Sequence, residues 1–292
     1  MINDVGVLSW WLSAQLLGVL ALPLTVWFFR RLPERGYSFA RPFGLLLTGY
    51  GAWLLSMLGL GSFGRGLLLL VGLLLLGGGI ALLGRPGLRR AVADLRGRLP
   101  WLLLVEGLFA LGLYAGVWMR WHDIFGRGVA LQHTEQPMDL TLLSGILASR
   151  QFPPQDPWLA PYPINYYYLG YLLVAALIRL SGVDLGTGFT LGIATIWAFA
   201  ATGTAGLIYN LIGLAQANQA NQANQANQAN QANQAEHRTQ NTEHRTQNTE
   251  HRTQMPTRNF PTTSCRCWVS CWYCCWATRR RRCRYWPAAK RL

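Results

Sequence analysis

No cysteine occurs before residue 265, the chain has a single lysine, Lys290, and acidic residues number only 12 of 292. The long cysteine-free region therefore has no disulfide framework and no thiolate zinc site. Charge of either sign is scarce as well: 13% of residues are charged against 51% hydrophobic, a departure from the soluble average toward the membrane class. A net charge of +14 would suggest nucleic acid if it were spread evenly, but it is not. Up to Leu214 there are 14 arginines against 9 acids, a surplus of 5, while the remaining segment supplies the other 9 charges.

What the sequence does have is long apolar runs. Val5 to Phe29, Phe43 to Phe63, Leu67 to Gly84, Trp101 to Met119, Tyr167 to Ser181 and Gly186 to Leu214 are candidate spans, set against the roughly 20 helical residues needed to cross a bilayer. A spanning segment must satisfy its backbone internally, so each is expected to be a helix. The first run lacks a basic leader and continues into Arg30-Arg31, which makes it an anchor rather than a signal peptide. The fold expected is an all-α, polytopic transmembrane bundle of about six spans over residues 1–214.

Arginine placement orients that bundle. Arg30, Arg31, Arg35 and Arg41 follow the first run, and Arg85, Arg89, Arg90, Arg96 and Arg98 follow the third, whereas Arg65 stands alone after the second. The positive-inside bias places the first two groups in the cytoplasm. Alternation then sets the N-terminus and loop 120–166 outside the cell membrane, with Arg179 at the inner surface.

The outer loop concentrates polar and aromatic groups. Pro137 suits a first helical turn and Phe152-Pro153-Pro154 stops the helix, giving a short amphipathic segment up to Arg150. Asp139 shares its apolar face with Leu142, Leu143, Ile146 and Leu147. It either stabilises the helix N-terminus through the dipole or serves as a catalytic acid or base, with Glu135 four residues earlier able to approach it. Trp158, Tyr162, Tyr166, Tyr167 and Tyr168 form an interfacial aromatic belt or a platform for a sugar or lipid headgroup. His122, His133, Asp123, Glu135 and Asp156 offer divalent-metal ligands in type but show no tight ligand spacing, so no metal residues are assigned. Glu106, inside the fourth run, is either a functional intramembrane acid or one end of an interhelical hydrogen bond.

The stretch from Glu135 through Pro137-Met138-Asp139, Phe152-Pro153-Pro154, Asp156-Pro157-Trp158 and Ile164-Asn165-Tyr166-Tyr167-Tyr168 resembles the Chlor_Arch_YYY domain family of multi-spanning membrane proteins. That family in turn is similar to the C-superfamily glycosyltransferases. The resemblance implies an outer-face activity using a polyprenyl-phosphate-linked sugar, with Asp139 as base for an acceptor hydroxyl and Glu135 as its partner or a contact to donor phosphate or a divalent metal. It also implies a substrate surface of His133, Asp156, Trp158, Asn165, Tyr166, Tyr167 and Tyr168. Gln136 stands where the family often has a basic residue before the proline. The partners implied are the lipid bilayer and a lipid-linked sugar, with no nucleic acid.

Beyond Ala215 the character changes. Residues 215–254 repeat Gln-Ala-Asn and then Glu-His-Arg-Thr-Gln-Asn-Thr, a low-complexity linker expected to be disordered or weakly helical. Three copies of a seven-base unit such as CAGAACA translate as Gln-Asn-Thr-Glu-His-Arg-Thr, so one unit gained or lost shifts the downstream frame. Residues 255–292 carry all 6 cysteines among tryptophans and arginines. Cysteine and tryptophan codons both begin TG, and read one base earlier they become codons for Leu, Val or Met. This tail therefore reads as a leucine-rich helix out of frame, and the chain as a truncated or frameshifted N-terminal part of a longer enzyme, inactive alone. A non-catalytic transporter or assembly scaffold is the alternative.

Overall fold

The computed structural model describes residues 4–122, 135–149, 152–165 and 168–253, and every regular element among them is helical. In chain order these are α1 (Asp4–Phe28), a 3-10 turn (Tyr37–Phe39), α2 (Ala40–Met57), α3 (Arg65–Arg96), α4 (Leu99–Trp121), α5 (Gln136–Ala148), α6 (Leu169–Ser181) and α7 (Leu185–Thr253). Helices thus occupy all six expected places, with α5 added in the loop. Four of them, α1, α3, α4 and α7, are long and apolar enough to cross a membrane. α2 has 18 residues, its apolar character diluted by Arg41, Thr48 and Ser56, and α6 has only 13.

Small residues set how closely these helices approach. Gly112 and Gly116, one turn apart on α4, face Ala198 and Ala194 of α7, and a Cβ on either glycine would lie 2.8 or 2.7 Å from an alanine Cα. In lipid, where apolar burial gives helices no preference for one another, such backbone proximity supplies the attraction through dispersion. Bulkier groups fill the centre: Trp10, Leu17, Phe109, Leu143, Leu172 and Leu191 are all buried. α3 bends where its apolar run ends, because Gly84 takes a left-handed φ of 64° and Pro86 follows.

The bundle has two distinct ends. At the arginine end, α1 finishes before Arg30 and Arg31, α3 bends toward Arg85 to Arg96, and α4 begins. At the loop end, α1 begins beside the last turns of α4, with Asp4, Val7 and Trp11 across a groove from Leu113, Tyr114 and Val117. The N-terminus of α1 and the C-terminus of α4 therefore share one end.

α6 departs from expectation. Tyr168 Oη accepts a hydrogen bond from Trp53 Nε1 (2.8 Å), one turn before α2 finishes, and the Arg179 carbonyl accepts from Nε of Arg65, the first residue of α3. Both ends of α6 thus sit at the loop end, and its length, about 20 Å at 1.5 Å per residue, is short of the hydrocarbon thickness. α6 is not a span, and Arg179 does not reach the opposite surface. Its Nη2 instead donates to the Leu147 carbonyl near the end of α5. Arg65 and Arg179 each satisfy a carbonyl in a last helical turn, and that local demand overrides the charge count from which the orientation of Arg179 was inferred.

With α6 retained at the loop end, α7 runs the other way from the expected direction. It starts with Asp184 Oδ1 accepting from Thr187 N (3.0 Å), passes Trp10, whose Nε1 donates to Thr195 Oγ1 (2.9 Å), and reaches Glu34 and Pro33 through Asn210 and Gly213. The chain divides into two compact units, Met1–Ala226 and Asn227–Leu292. The repeats continue α7 as helix to Thr253, with side chains 215–247 all exposed. Of the two alternatives expected for the repeats, disorder and weak helix, the structure has helix: alanine and glutamine are good helix formers, and neither glycine nor proline interrupts the repeats.

Candidate functional site

At the loop end, Pro137 opens α5, and Leu142, Leu143 and Ile146 bury its apolar face. Gly145 is buried too, against Pro157. Asp139 is half-buried in the first turn, and its Oδ1 accepts a hydrogen bond from Tyr171 Oη of α6. The bond from Arg179 to Leu147 lies the same distance along both helices, so α5 and α6 run side by side in one direction. Glu135 is exposed, precedes α5 without a side-chain capping bond, and bonds to Asp139 only through its backbone carbonyl (2.9 Å).

Residues 152–165 fold into a tight hairpin. Asp156 N donates to the Tyr162 carbonyl (2.9 Å) and Ile164 N to the Pro154 carbonyl (2.8 Å), while Phe152 packs on Phe63 with ring centroids 5.2 Å apart. Asp156 Oδ1 accepts from Trp158 N (2.9 Å) and Leu159 N (3.4 Å), so its carboxylate shapes the turn. A cavity of about 690 Å³ lies between the end of α5 and this hairpin, with Ser149, Gln155, Asp156 and Pro157 in its wall. Asp139 is not in that wall: about 13 Å of helix separates it from the end of α5.

The expected residues therefore divide. Asp139 belongs to the α5–α6 seam, and Tyr168 is held by Trp53. Trp158 (67% exposed) and Asn165 are open at the surface, as is Tyr162. His133, Tyr166 and Tyr167 lie outside the described residues. No group of three or more His, Cys, Asp or Glu side chains fit to hold a metal occurs among the described residues. Three buried polar atoms without a hydrogen-bond partner do occur at this end: Arg120 Nε, Gln136 Oε1 and Arg179 Nε.

A second polar assembly lies inside the arginine-end half; of its members the sequence singled out Glu106, which does make an interhelical hydrogen bond, to Gln15. The connection after α1 folds back between helices and buries Glu34 at 1% exposure. Its carboxylate accepts from Ser38 Oγ (2.6 Å), Trp101 Nε1 (2.6 Å) and Asn210 Nδ2 (3.0 Å), and Glu34 N donates to Asn210 Oδ1 (3.2 Å). Beside it, Glu106 pairs with Arg41 and accepts from Tyr37 Oη (2.6 Å) and Gln15 Nε2 (2.5 Å), while Arg41 Nε donates to Gln15 Oε1 (2.8 Å). Arg41, counted by position among the cytoplasmic arginines, is in fact 4% exposed and stacked 4.4 Å from the Phe109 ring centroid. Burial, and then the Glu106 carboxylate, push the Tyr37 phenol above its ordinary range. The sequence signal for this assembly was isolated polar residues within apolar runs, Gln15 and Asn210 beside Glu106.

A helical bundle with apolar surfaces toward lipid and charged groups paired within it defines an integral membrane protein. The chain belongs to the family described as Uncharacterized membrane protein (DUF2298), whose model matches residues 47–254. No curated protein and no solved structure matches it.

Proposed function

We propose that residues 1–214 form the N-terminal part of a membrane glycosyltransferase-like protein that takes a polyprenyl-phosphate-linked sugar at the loop end, on the outer face of the cell membrane. The observation carrying this reading is the α5–α6 seam, where a half-buried carboxylate meets a phenol, with an unpartnered guanidinium nitrogen of Arg179 about two turns further along the same seam. Asp139 is the base that takes a proton from the acceptor hydroxyl, and Tyr171 orients it. Arg120 and Arg179 supply donors for an anionic phosphate, which their unused Nε–H groups suit. Trp158, Asn165 and Tyr168, joined by His133, Tyr166 and Tyr167, provide the polar and aromatic surface for a sugar. The described residues do not fit a divalent metal, so no step is routed through one.

A second reading, a non-catalytic membrane protein that binds a partner at the loop end, is favoured by Asp156, whose carboxylate is occupied in its own turn. Because the truncated chain is expected to be inactive alone, the test uses membranes carrying an intact, longer family member with the same loop and a radiolabelled polyprenyl-phosphate sugar. Asp139→Asn is expected to lower sugar transfer by about a hundredfold or more, the usual scale of general-base catalysis, with insertion unchanged. Unaltered transfer rules out the base role, and no transfer by either chain favours the second reading.

A further inference from the structure

After the bend at Gly84, α3 continues to Arg96, and its two faces differ in burial. Ala91 is buried and Gly87, Leu88, Asp94 and Leu95 are half-buried, whereas Arg85, Arg89 and Arg96 are exposed. At about 100° per residue those three arginines fall within about 40° of one another, opposite the buried stripe. Arg90 and, from the end of α1, Arg30 and Arg31 are exposed as well. Charge is not balanced here: Asp94 pairs with Arg35, Glu106 with Arg41, and Glu34 is enclosed by neutral donors. No ion pair engages Arg85, Arg89, Arg90 or Arg96 among the described residues.

Position and apolar content select the ligand. The bend directly follows the leucine-rich run ending at Leu83, so the arginines begin where the chain leaves hydrocarbon, the level of lipid phosphates. Val92, 40% exposed, lies beside Arg85 and Arg96 on the same wheel sector, and Leu99 of the following helix is 54% exposed. An apolar foot within a cationic face fits an acyl and headgroup boundary better than an aqueous polyanion such as RNA. We infer that the bent segment Arg85–Arg96 is an interfacial helix that binds acidic phospholipid headgroups through Arg85, Arg89 and Arg96. This inference is independent of any activity at the loop end.

The full chain, reconstituted in vesicles of equal parts phosphatidylcholine and phosphatidylglycerol, provides the test. Electron spin resonance with spin-labelled analogues of the two lipids reads the preference of the protein for the acidic one. Replacing Arg85, Arg89 and Arg96 together by glutamine is expected to reduce that preference by about fivefold or more, the scale of one surface arginine or beyond. Lysine at the same three positions should retain it, which separates charge from any change in folding, and added salt should weaken it. An equal preference in the native and glutamine chains overturns the inference. Loss in the lysine chain as large as in the glutamine chain also overturns it, because attraction to a headgroup at this surface depends on charge.

Discussion

At the arginine end, Glu34 is buried and Glu106 half-buried, and each is held by several side chains, while at the loop end Asp139, Asp156 and Asp184 are exposed or half-buried and each serves a turn or a single neighbour. The difference follows from solvent. Inside a bilayer an acid without partners is expensive, so the chain surrounds it with donors. Where the chain meets water the same group needs little help and is free to interact with something else. The acids held by several donors are architectural, and chemistry is to be sought at the acids that the fold leaves with few partners.

The contrast breaks most sharply at Glu34. Glu34→Ala orphans the donors of Ser38, Trp101 and Asn210 and is expected to cost about 4 kcal/mol, visible as a large drop in the thermal unfolding midpoint of the detergent-solubilised chain. A native midpoint in that variant would remove the architectural role. Glu106→Ala leaves Arg41 buried without its counter-charge, at about 3 kcal/mol. Combined with Arg41→Met it should recover most of that loss, so a double variant no more stable than Glu106→Ala would show the pair to be uncoupled.

Smaller losses are expected at a helix contact and at a helix cap. Gly112→Val pushes a side chain into the Ala198 backbone, so α4 and α7 must separate for about 2 kcal/mol, while the exposed Gly107 should tolerate valine with far less loss. At the loop end, Asp184→Ala removes the cap of α7 for about 1 kcal/mol. Hydrogen bonding to Thr187 lowers the Asp184 carboxyl below its ordinary value of 3.8. A depressed folded value means that the unfolded chain takes up the proton first. The stabilisation is therefore complete above pH 3.8 and is lost as pH falls through the lower folded value. Unfolding curves of the native chain and the Asp184→Ala variant should converge in acid, and a gap independent of pH would rule out the ionised cap.

Much of the fold could be read in the order of residues. Apolar runs located α1, α3, α4 and α7, Pro137 and Pro153 bracketed α5, and Gly84 marked the end of an apolar run and became a bend. The error over α6 had a physical source: an apolar run and a terminal arginine look alike whether the segment crosses lipid or lies at one end beneath a loop. Only the partners of Trp53, Arg65 and Leu147 distinguish the two. Asp139 was legible as a carboxylate on an apolar face, but its bond to Tyr171 was not, because the two are far apart in sequence. Glu34 carried no signal at all, sitting among Arg30, Arg31 and Arg35 as though in an ordinary solvated turn.

By itself the sequence determined that this protein is a helical membrane bundle, since apolar runs of that length leave no other way to satisfy the backbone in lipid. The tertiary structure alone decided that α6 stays at the loop end, that α7 therefore returns toward the arginine end, and that Glu34 and Arg41 lie inside. Those outcomes depend on which distant donor meets which carbonyl or carboxylate. A hydrogen bond between remote segments is fixed by packing, and no local pattern of residues encodes it.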